Sequence, residues 1–342
     1  MGVSGSRSES HDGDTPAPGR DAVATGDPLA ARASPNVVVL AGGTGGAKLA
    51  RGMLDVVGPE ELVVIANTGD DIDIYGAHVS PDPDLVSFWL ADEIDERGWG
   101  IDGDTFAVMD ALRALGTDVW FNLGDRDLAW CIERARMLAE GLTPTAALAQ
   151  LNGAIGLKGA VLPMSDDPVR TWVRTGEAGW CNFQQFMIRE RAAGLIEDLE
   201  YRGAEQARPS AEVLAAIASA RVILIGPSNP LASIGPILAV PGIREATLAA
   251  AAPVVAVSPI VDGEVLKGPT AAFMAFAALE PSAAGIADFY GELLDGIVAD
   301  ENVAALPTLQ TDTRMDDAAG RVRLAEQTLS FAEALRKEAP TK

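Results

Sequence analysis

Val37-Val38-Val39-Leu40-Ala41-Gly42-Gly43-Thr44-Gly45-Gly46-Ala47-Lys48 reads as a buried strand that runs straight into a glycine-rich turn and then into helix-favouring residues. A short, uninterrupted apolar run is what a parallel strand covered on both faces requires. Strand, tight turn and helix in that order open a βαβ unit. Without Cβ atoms, the glycines of Gly42-Gly43-Thr44-Gly45-Gly46 let the backbone approach an anion. Its charge is then neutralised by N–H groups and by the positive end of the following helix. The stretch predicts phosphate contact from Gly42 to Gly46, with a nucleotide or diphosphate as the ligand.

Two familiar glycine-loop chemistries do not fit. The loop lacks the third glycine of the dinucleotide fingerprint, and Ala47-Lys48-Leu49 stands where a P-loop has Gly-Lys-Ser/Thr. The second apolar run, Leu62-Val63-Val64-Ile65-Ala66, ends in Asn67 rather than the acid that holds a ribose in a dehydrogenase. A nicotinamide oxidoreductase is therefore disfavoured. The bland alternative is a tight turn that merely joins strand to helix.

The 342-residue chain is 48% hydrophobic, and Ala-rich helical segments alternate with short Val/Ile runs. This predicts the α/β class, a Rossmann-like, doubly wound, mainly parallel sheet with an inserted cap region. A formal net charge of -23 opposes nucleic acid or an anionic membrane surface as partner, because the field repels both. A small anion is compatible if N–H groups, a few Arg or Lys, or a carboxylate-held divalent cation neutralise it locally. Cys131 and Cys181 stand in no redox or metal-binding spacing, so a reducing cytoplasm is the expected setting. No apolar run approaches the roughly 18 residues of a membrane span. A homodimer is left open.

Residues 1-35, rich in Ser, Gly, Asp, Ala and Pro, are expected to be a disordered tail, and residues 36-335 a single domain. Strands are predicted at 37-41, 62-66, 222-225 and 254-257. Helices are predicted at 46-56, 85-92, 104-115, 127-140, 143-151, 210-219 and 243-251. An acidic loop at 67-84 lies between them, and a section at about 155-205 with short alternating runs reads as an insertion or cap. Ligands of open parallel sheets bind where loops leave the carboxyl ends of strands. The loops starting at Gly42, Asn67, Gly226 and Ser258 are therefore expected to converge on one crevice.

Acidic clusters supply the candidate chemistry. Asn67-Thr68-Gly69-Asp70-Asp71 and Pro81-Asp82-Pro83-Asp84 read blandly as a turn followed by Asp84 capping a helix from Leu85. Read functionally, Asp70, Asp71 and Asp82 ligate Mg²⁺ and raise the pKa of a neighbour until it serves as a base. In Asn122-Leu123-Gly124-Asp125-Arg126-Asp127 a guanidinium between two carboxylates suits a diphosphate or a polar ligand edge; otherwise it is a helix cap with an ion pair. Gly226-Pro227-Ser228-Asn229-Pro230 is a stiff loop whose Ser228 and Asn229 suit a base or phosphate. His78 is the one histidine inside the expected domain and reads as a loop residue. A Ser-His-Asp triad is thereby excluded, and proton work falls to carboxylates.

These motifs, taken in order with Ser80-Pro81-Asp82-Pro83-Asp84, Arg97-Gly98-Trp99-Gly100, Met164-Ser165-Asp166-Asp167-Pro168 and Ser233-Ile234-Gly235-Pro236-Ile237, resemble the 2-phospho-L-lactate transferase family over about residues 36 to 330. The resemblance implies a step in coenzyme F-420 biosynthesis. A guanylylated donor carrying 2-phospho-L-lactate, phosphoenolpyruvate or 3-phosphoglycerate passes its phosphoacyl group to the ribityl hydroxyl of the deazaflavin Fo, and GMP leaves. It implies Mg²⁺ as cofactor and places Asp84 and Asn122 at deazaflavin-contacting positions. The chain departs from the family pattern at Asn122, where archaeal relatives carry a basic residue, and at Pro83, where Leu is usual. On this reading Asp84, with Asp82, holds or deprotonates the acceptor hydroxyl. Asp70, Asp71 and Asp82 lie near the metal, Gly42 to Gly46 take donor phosphates, and Asp125, Arg126, Ser228 and Asn229 complete the substrate site. The rival is a non-catalytic nucleotide-sugar-binding regulator, whose family shares the Gly-Gly-Thr-Gly opening but continues its second loop as Asp-Asp-Gly-Gly-Ser-Ser. Here Asp70-Asp71 leads into Ile72-Asp73-Ile74-Tyr75.

Overall fold

A computed structural model describes residues 36–176, 179–265 and 268–338; the tail expected at 1-35 lies outside the described residues. The opening stretch forms β1 (Asn36–Ala41) and α1 (Gly43–Val57), followed by β2 (Leu62–Ala66). The expected acidic loop instead contains a hairpin, β3 (Ile72–Ile74) with β4 (Ala77–Val79), and the first turn of α2 (Pro81–Leu90). This helix begins four residues before the expected Leu85. Prolines 81 and 83 fit its first turn because no N–H is needed there, and the Asp84 N–H already donates to the Ser80 carbonyl.

Three helices, α3 (Ala107–Ala114), α4 (Asp125–Ala139) and α5 (Pro144–Ala154), lead to β5 (Ala160–Pro163). The chain then leaves the main sheet for β6 (Arg170–Thr175), β7 (Gly179–Asn182), α6 (Phe183–Ile188) and β8 (Ile196–Arg202). These strands make a separate antiparallel sheet in the order β7-β6-β8. Winding resumes with α7 (Ala211–Ala218), β9 (Ala220–Ile225), a π-helical turn at Pro230–Ile234, α8 (Gly235–Ala239), α9 (Ile243–Ala249) and β10 (Val254–Val257). A small hairpin of β11 (Ile260–Val261) and β12 (Glu264–Val265), then α10 (Thr270–Phe276) and α11 (Ala283–Tyr290), precede β13 (Gly296–Ala299), β14 (Thr308–Gln310) and α12 (Ala318–Glu338). The last two strands were not legible in the sequence pattern.

Seven strands form one parallel sheet, ordered β14-β13-β10-β9-β1-β2-β5. Val38 and Leu40 of β1 face a core that includes Ile217 and Ile237, while Val37 and Val39 face one that includes Met53 of α1 and Leu324 of α12. That alternation explains why β1 is apolar throughout: both of its faces are covered. The chain runs outward from β1 through β2 to β5, then returns to place β9 on the other side of β1. The gap between β1 and β9 is thus the topological switch point, where the loops after the two strands part and leave a crevice.

The glycine loop is held by steric limits. Gly43 has φ of 66°, a left-handed conformation that β-carbons disfavour. A Cβ on Gly45 would lie 2.0 Å from the Pro227 carbonyl oxygen, so the loops after β1 and β9 touch backbone to backbone. Replacing Gly45 by Ala must push these loops apart. It is expected to cost about 1–3 kcal/mol of stability by overpacking, read as a lowered midpoint in urea titration; an unchanged midpoint would show that the contact yields freely.

Candidate functional site

A cavity of about 510 Å³ opens at the carboxyl end of the sheet, within the size range of ligand sites. Gly42, Gly43, Thr44 and Gly45, then Asp70, then Pro227, Ser228 and Asn229, then Ser258 and Pro259 all line it. The loops after β1, β2, β9 and β10 therefore meet as expected. The segment after β14 joins them through Thr313, Met315 and Asp316. Lys48 Nζ, also on the lining, donates to the Met315 carbonyl at 3.0 Å and ties this segment to α1.

α1 has no side-chain cap, so the first-turn N–H groups of Thr44 and Gly45 are donors without an intrahelical acceptor. The Gly43 N–H donates to Asp82 Oδ1 at 2.6 Å. Asp82 in turn shares one donor with Asp70, because Asn67 Nδ2 reaches Asp82 Oδ2 at 2.9 Å and Asp70 Oδ1 at 3.2 Å. The other face of the Asn67 amide is fixed, its Oδ1 accepting from the Gly69 N–H at 2.7 Å. Asp70 Oδ2 accepts from Gln184 Nε2 of α6 at 3.0 Å.

Both carboxylates are almost fully buried and receive only neutral donors. Burial, with the charge of Asp71 added, pushes Asp82 up to about 6; hydrogen bonds from Asn67 and Gly43 oppose it. Burial, then the charges of Asp82 and Asp71, raise Asp70 well above the usual carboxylate range. Two buried acids lacking a compensating cation, beside a loop of N–H donors, form a donor set that fits a hard divalent ion such as Mg²⁺.

The remaining expected site residues are distributed elsewhere. Asp71 turns away from the cavity: its oxygens take Ser80 Oγ at 2.7 Å and His78 Nε2 at 3.4 Å, with Arg170 Nη1 at 3.9 Å. Asp70, Asp71 and Asp82 do not bring three ligand atoms within 4.8 Å of one another, so the expected metal set is divided. Asp84 sits inside α2 rather than at its cap. Its oxygens are held by Arg134 and, at 2.8 Å, by Trp130 Nε1, and it does not line the cavity. Burial raises its pKa while Arg134 opposes the rise. Asp84, Asp127 and Cys131 do cluster, but the Arg134 guanidinium on Asp84 supplies a cation already. Asp125 caps α3 by accepting from Ala107 and Val108 N–H groups at 3.0 and 2.9 Å. Arg126 reaches the Asp102 carbonyl at 2.8 Å and Glu93, and Asn122 accepts from Arg113 Nη2 at 2.8 Å. None of these three is on the cavity wall.

Sequence reading passed over Asn67, Gln184 and Thr313 as site residues. Asn67 was noted for lacking the acid of a dehydrogenase, and its amide is what two converging carboxylates need. Gln184 and Thr313 carried no signal, because their elements reach the cavity only through tertiary folding.

Fold and site together define a phosphate-handling α/β enzyme whose glycine loop and acids share one crevice. A family model for 2-phospho-L-lactate transferase CofD matches residues 37–332, and the chain belongs to that family of transferases. A phosphoenolpyruvate transferase of Kitasatospora aureofaciens is 42% identical over 320 residues, covering 88% of this chain and 98% of the relative. A 2-phospho-L-lactate transferase of Methanosarcina mazei is 40% identical over 266 residues, 78% of this chain and 87% of that protein. Among solved structures, protein BH3568 of Bacillus halodurans superposes with a TM-score of 0.56 at 19% identity, over 86% of this chain and 99% of its own. That likeness concerns the fold alone. Among the described residues, no helix is long and apolar enough to cross a membrane.

Two substitutions separate the acids. Asp82 has a folded-state pKa above its ordinary value, so its contribution favours folding at low pH and is lost as pH rises through about 6. In chelator, Asp82→Asn is expected to raise the melting temperature at pH 7.5 and to flatten the stability profile between pH 4 and 6; a lowered melting temperature would refute this. Asp84→Asn leaves Arg134 buried without its counter-charge and is expected to destabilise by about 3–5 kcal/mol, measured by urea unfolding. This replaces the sequence-based expectation of an effect mainly on rate.

Proposed function

We propose that this transferase moves a phosphoacyl group from a guanylylated donor to the ribityl hydroxyl of the deazaflavin Fo, releasing GMP, in coenzyme F-420 biosynthesis. The observation that carries the reading is the joining of α1's free N–H groups and the Asp70–Asp82 pair on one cavity wide enough for both substrates. Phe183 and Met187 give one wall an apolar surface suited to a flat ring.

In an in-line displacement, charge spreads over the equatorial phosphate oxygens and the nucleophile must be held in position. The N–H groups of Thr44 and Gly45 bind donor phosphate oxygens. Asp70 and Asp82 would hold Mg²⁺, which when bound supplies positive charge against those oxygens. Asp82 accepts the hydrogen bond of the acceptor hydroxyl and takes its proton at a carboxylate oxygen as the new phosphorus–oxygen bond forms. Asn67 and Gln184 keep both carboxylates oriented. Asp84, held by Arg134, positions α2 and with it Asp82, rather than meeting the hydroxyl itself.

Among donors, the phosphoenolpyruvyl form is favoured. The relative named for phosphoenolpyruvate matches 88% of this chain, against 78% for the one named for 2-phospho-L-lactate. Incubation with Fo and an equimolar mixture of the three guanylylated donors, followed by chromatography, is expected to show GMP one-for-one with a phosphodiester-linked deazaflavin that carries chiefly the phosphoenolpyruvyl unit. Activity should disappear in chelator and return with Mg²⁺. Release of GDP, or a guanylylated deazaflavin, would overturn the geometry of attack; undiminished turnover after metal stripping would remove Mg²⁺ from it.

A further inference from the structure

Among the described residues, two side chains on the wall of the large cavity carry a buried polar atom without a hydrogen-bond partner: Asn229, through Nδ2, and Thr313, through Oγ1. Buried polar groups in folded proteins are paired as a rule, and an exception calls for an explanation. The Asn229 amide cannot turn to find a partner. Its Oδ1 accepts from the N–H groups of Leu231 and Ala232 at 3.0 and 2.9 Å, which leaves Nδ2 as a fixed donor. Thr313 is 4% exposed, and its hydroxyl can both donate and accept.

Their position in the fold gives them a role. Along the sheet, Asp70 follows β2 and the glycine loop follows β1. Asn229 follows β9, Ser258 follows β10, and Thr313 follows β14 at the far edge. The acids therefore occupy one end of the cavity, and the unpaired donors lie on the opposite side of the α1 N-terminus. A nucleoside diphosphate has the same order, with a charged group in the middle and a hydrogen-bonding, partly apolar nucleoside at one end. Val261 and Met315 provide apolar wall on the Thr313 side. The loop after β2 also lacks the acid that would hold a ribose, so sugar contacts must come from another strand end.

We infer that Thr313, with Asn229, recognises the nucleoside portion of the donor and so fixes its direction, nucleoside toward β10 and β14 and reacting phosphate toward Asp70 and Asp82. This rests on the guanylylated-donor reading given above. Thr313 is then a specificity-determining residue whose hydroxyl bonds a sugar hydroxyl or the polar edge of the base.

The test is calorimetric titration of GDP into the full chain in the presence of Mg²⁺, for the unmodified protein, Thr313→Val and Thr313→Ser. Valine keeps the shape and removes the hydroxyl. It is expected to weaken GDP binding about tenfold, the scale of one lost hydrogen bond, with the melting temperature unchanged, and serine is expected to restore most of the affinity. Titration with 2′-deoxy-GDP separates the two bonding partners: a valine effect that disappears with this ligand assigns the bond to the 2′-hydroxyl, and one that persists assigns it elsewhere on the nucleoside. Equal GDP affinity in the unmodified and valine proteins would overturn the inference while leaving the donor reading intact. Failure of the unmodified protein to bind GDP would defeat the donor reading, and this inference with it.

Discussion

The Asp82 carboxylate is the joint on which the site depends. One oxygen accepts from the first N–H of α1, and the other accepts from Asn67 at the end of β2, while its own backbone opens α2. Three segments from separate parts of the fold are thus fixed to one acid. A negative group at a helix N-terminus is favourable, because the peptide dipoles and unsatisfied N–H groups concentrate positive potential there. The same potential is what a phosphate would seek. The protein has already placed a carboxylate at one of its donors, so phosphate and carboxylate must share the helix end.

That sharing explains the composition of the surroundings. Asp70 and Asp82 lie side by side with neutral amides between them, and burial raises the pKa of both. Where stability alone mattered, an arginine would serve better, as Arg134 does for Asp84 within the same helix. The two acids of α2 show the contrast: one is neutralised and structural, the other is left without a cation at the cavity. A site that must receive a cation and a diphosphate together gains from acids whose charge the protein itself leaves uncompensated.

The antiparallel unit between β5 and α7 is part of the site as well as an attachment to it. Gln184 reaches Asp70 from α6, and Phe183 and Met187 of the same helix form cavity wall. Val173, Phe186 and Phe273 pack this unit against α10 and the π-helical turn after β9, so the wall is anchored to the loop that carries Asn229. A π-helical turn directly after Pro227-Ser228-Asn229 is consistent with a loop shaped for function rather than for regular hydrogen bonding.

The sequence by itself determined the alternation of strand and helix, the glycine turn between β1 and α1, and the four strand ends that form most of the cavity. Those features are local: apolar runs, glycine positions and strand-end loops are set by residues near one another in the chain. It also carried the motif order that places the chain in its family. Only the tertiary structure decided which acids face the cavity. Asp70 and Asp71 are neighbours in sequence, yet one meets Asn67 and Gln184 while the other meets Ser80 and His78. Asp82 and Asp84 are two residues apart on α2, and that spacing turns their side chains to different sides of the helix, one toward α1 and the other toward Arg134 of α4. The three-residue β14, too short to show a pattern, brought Thr313 to the same cavity from the far edge of the sheet. Residue type and spacing fix what a segment can form, whereas the side on which a charge is neutralised depends on partners distant in sequence, which meet only when the sheet is assembled.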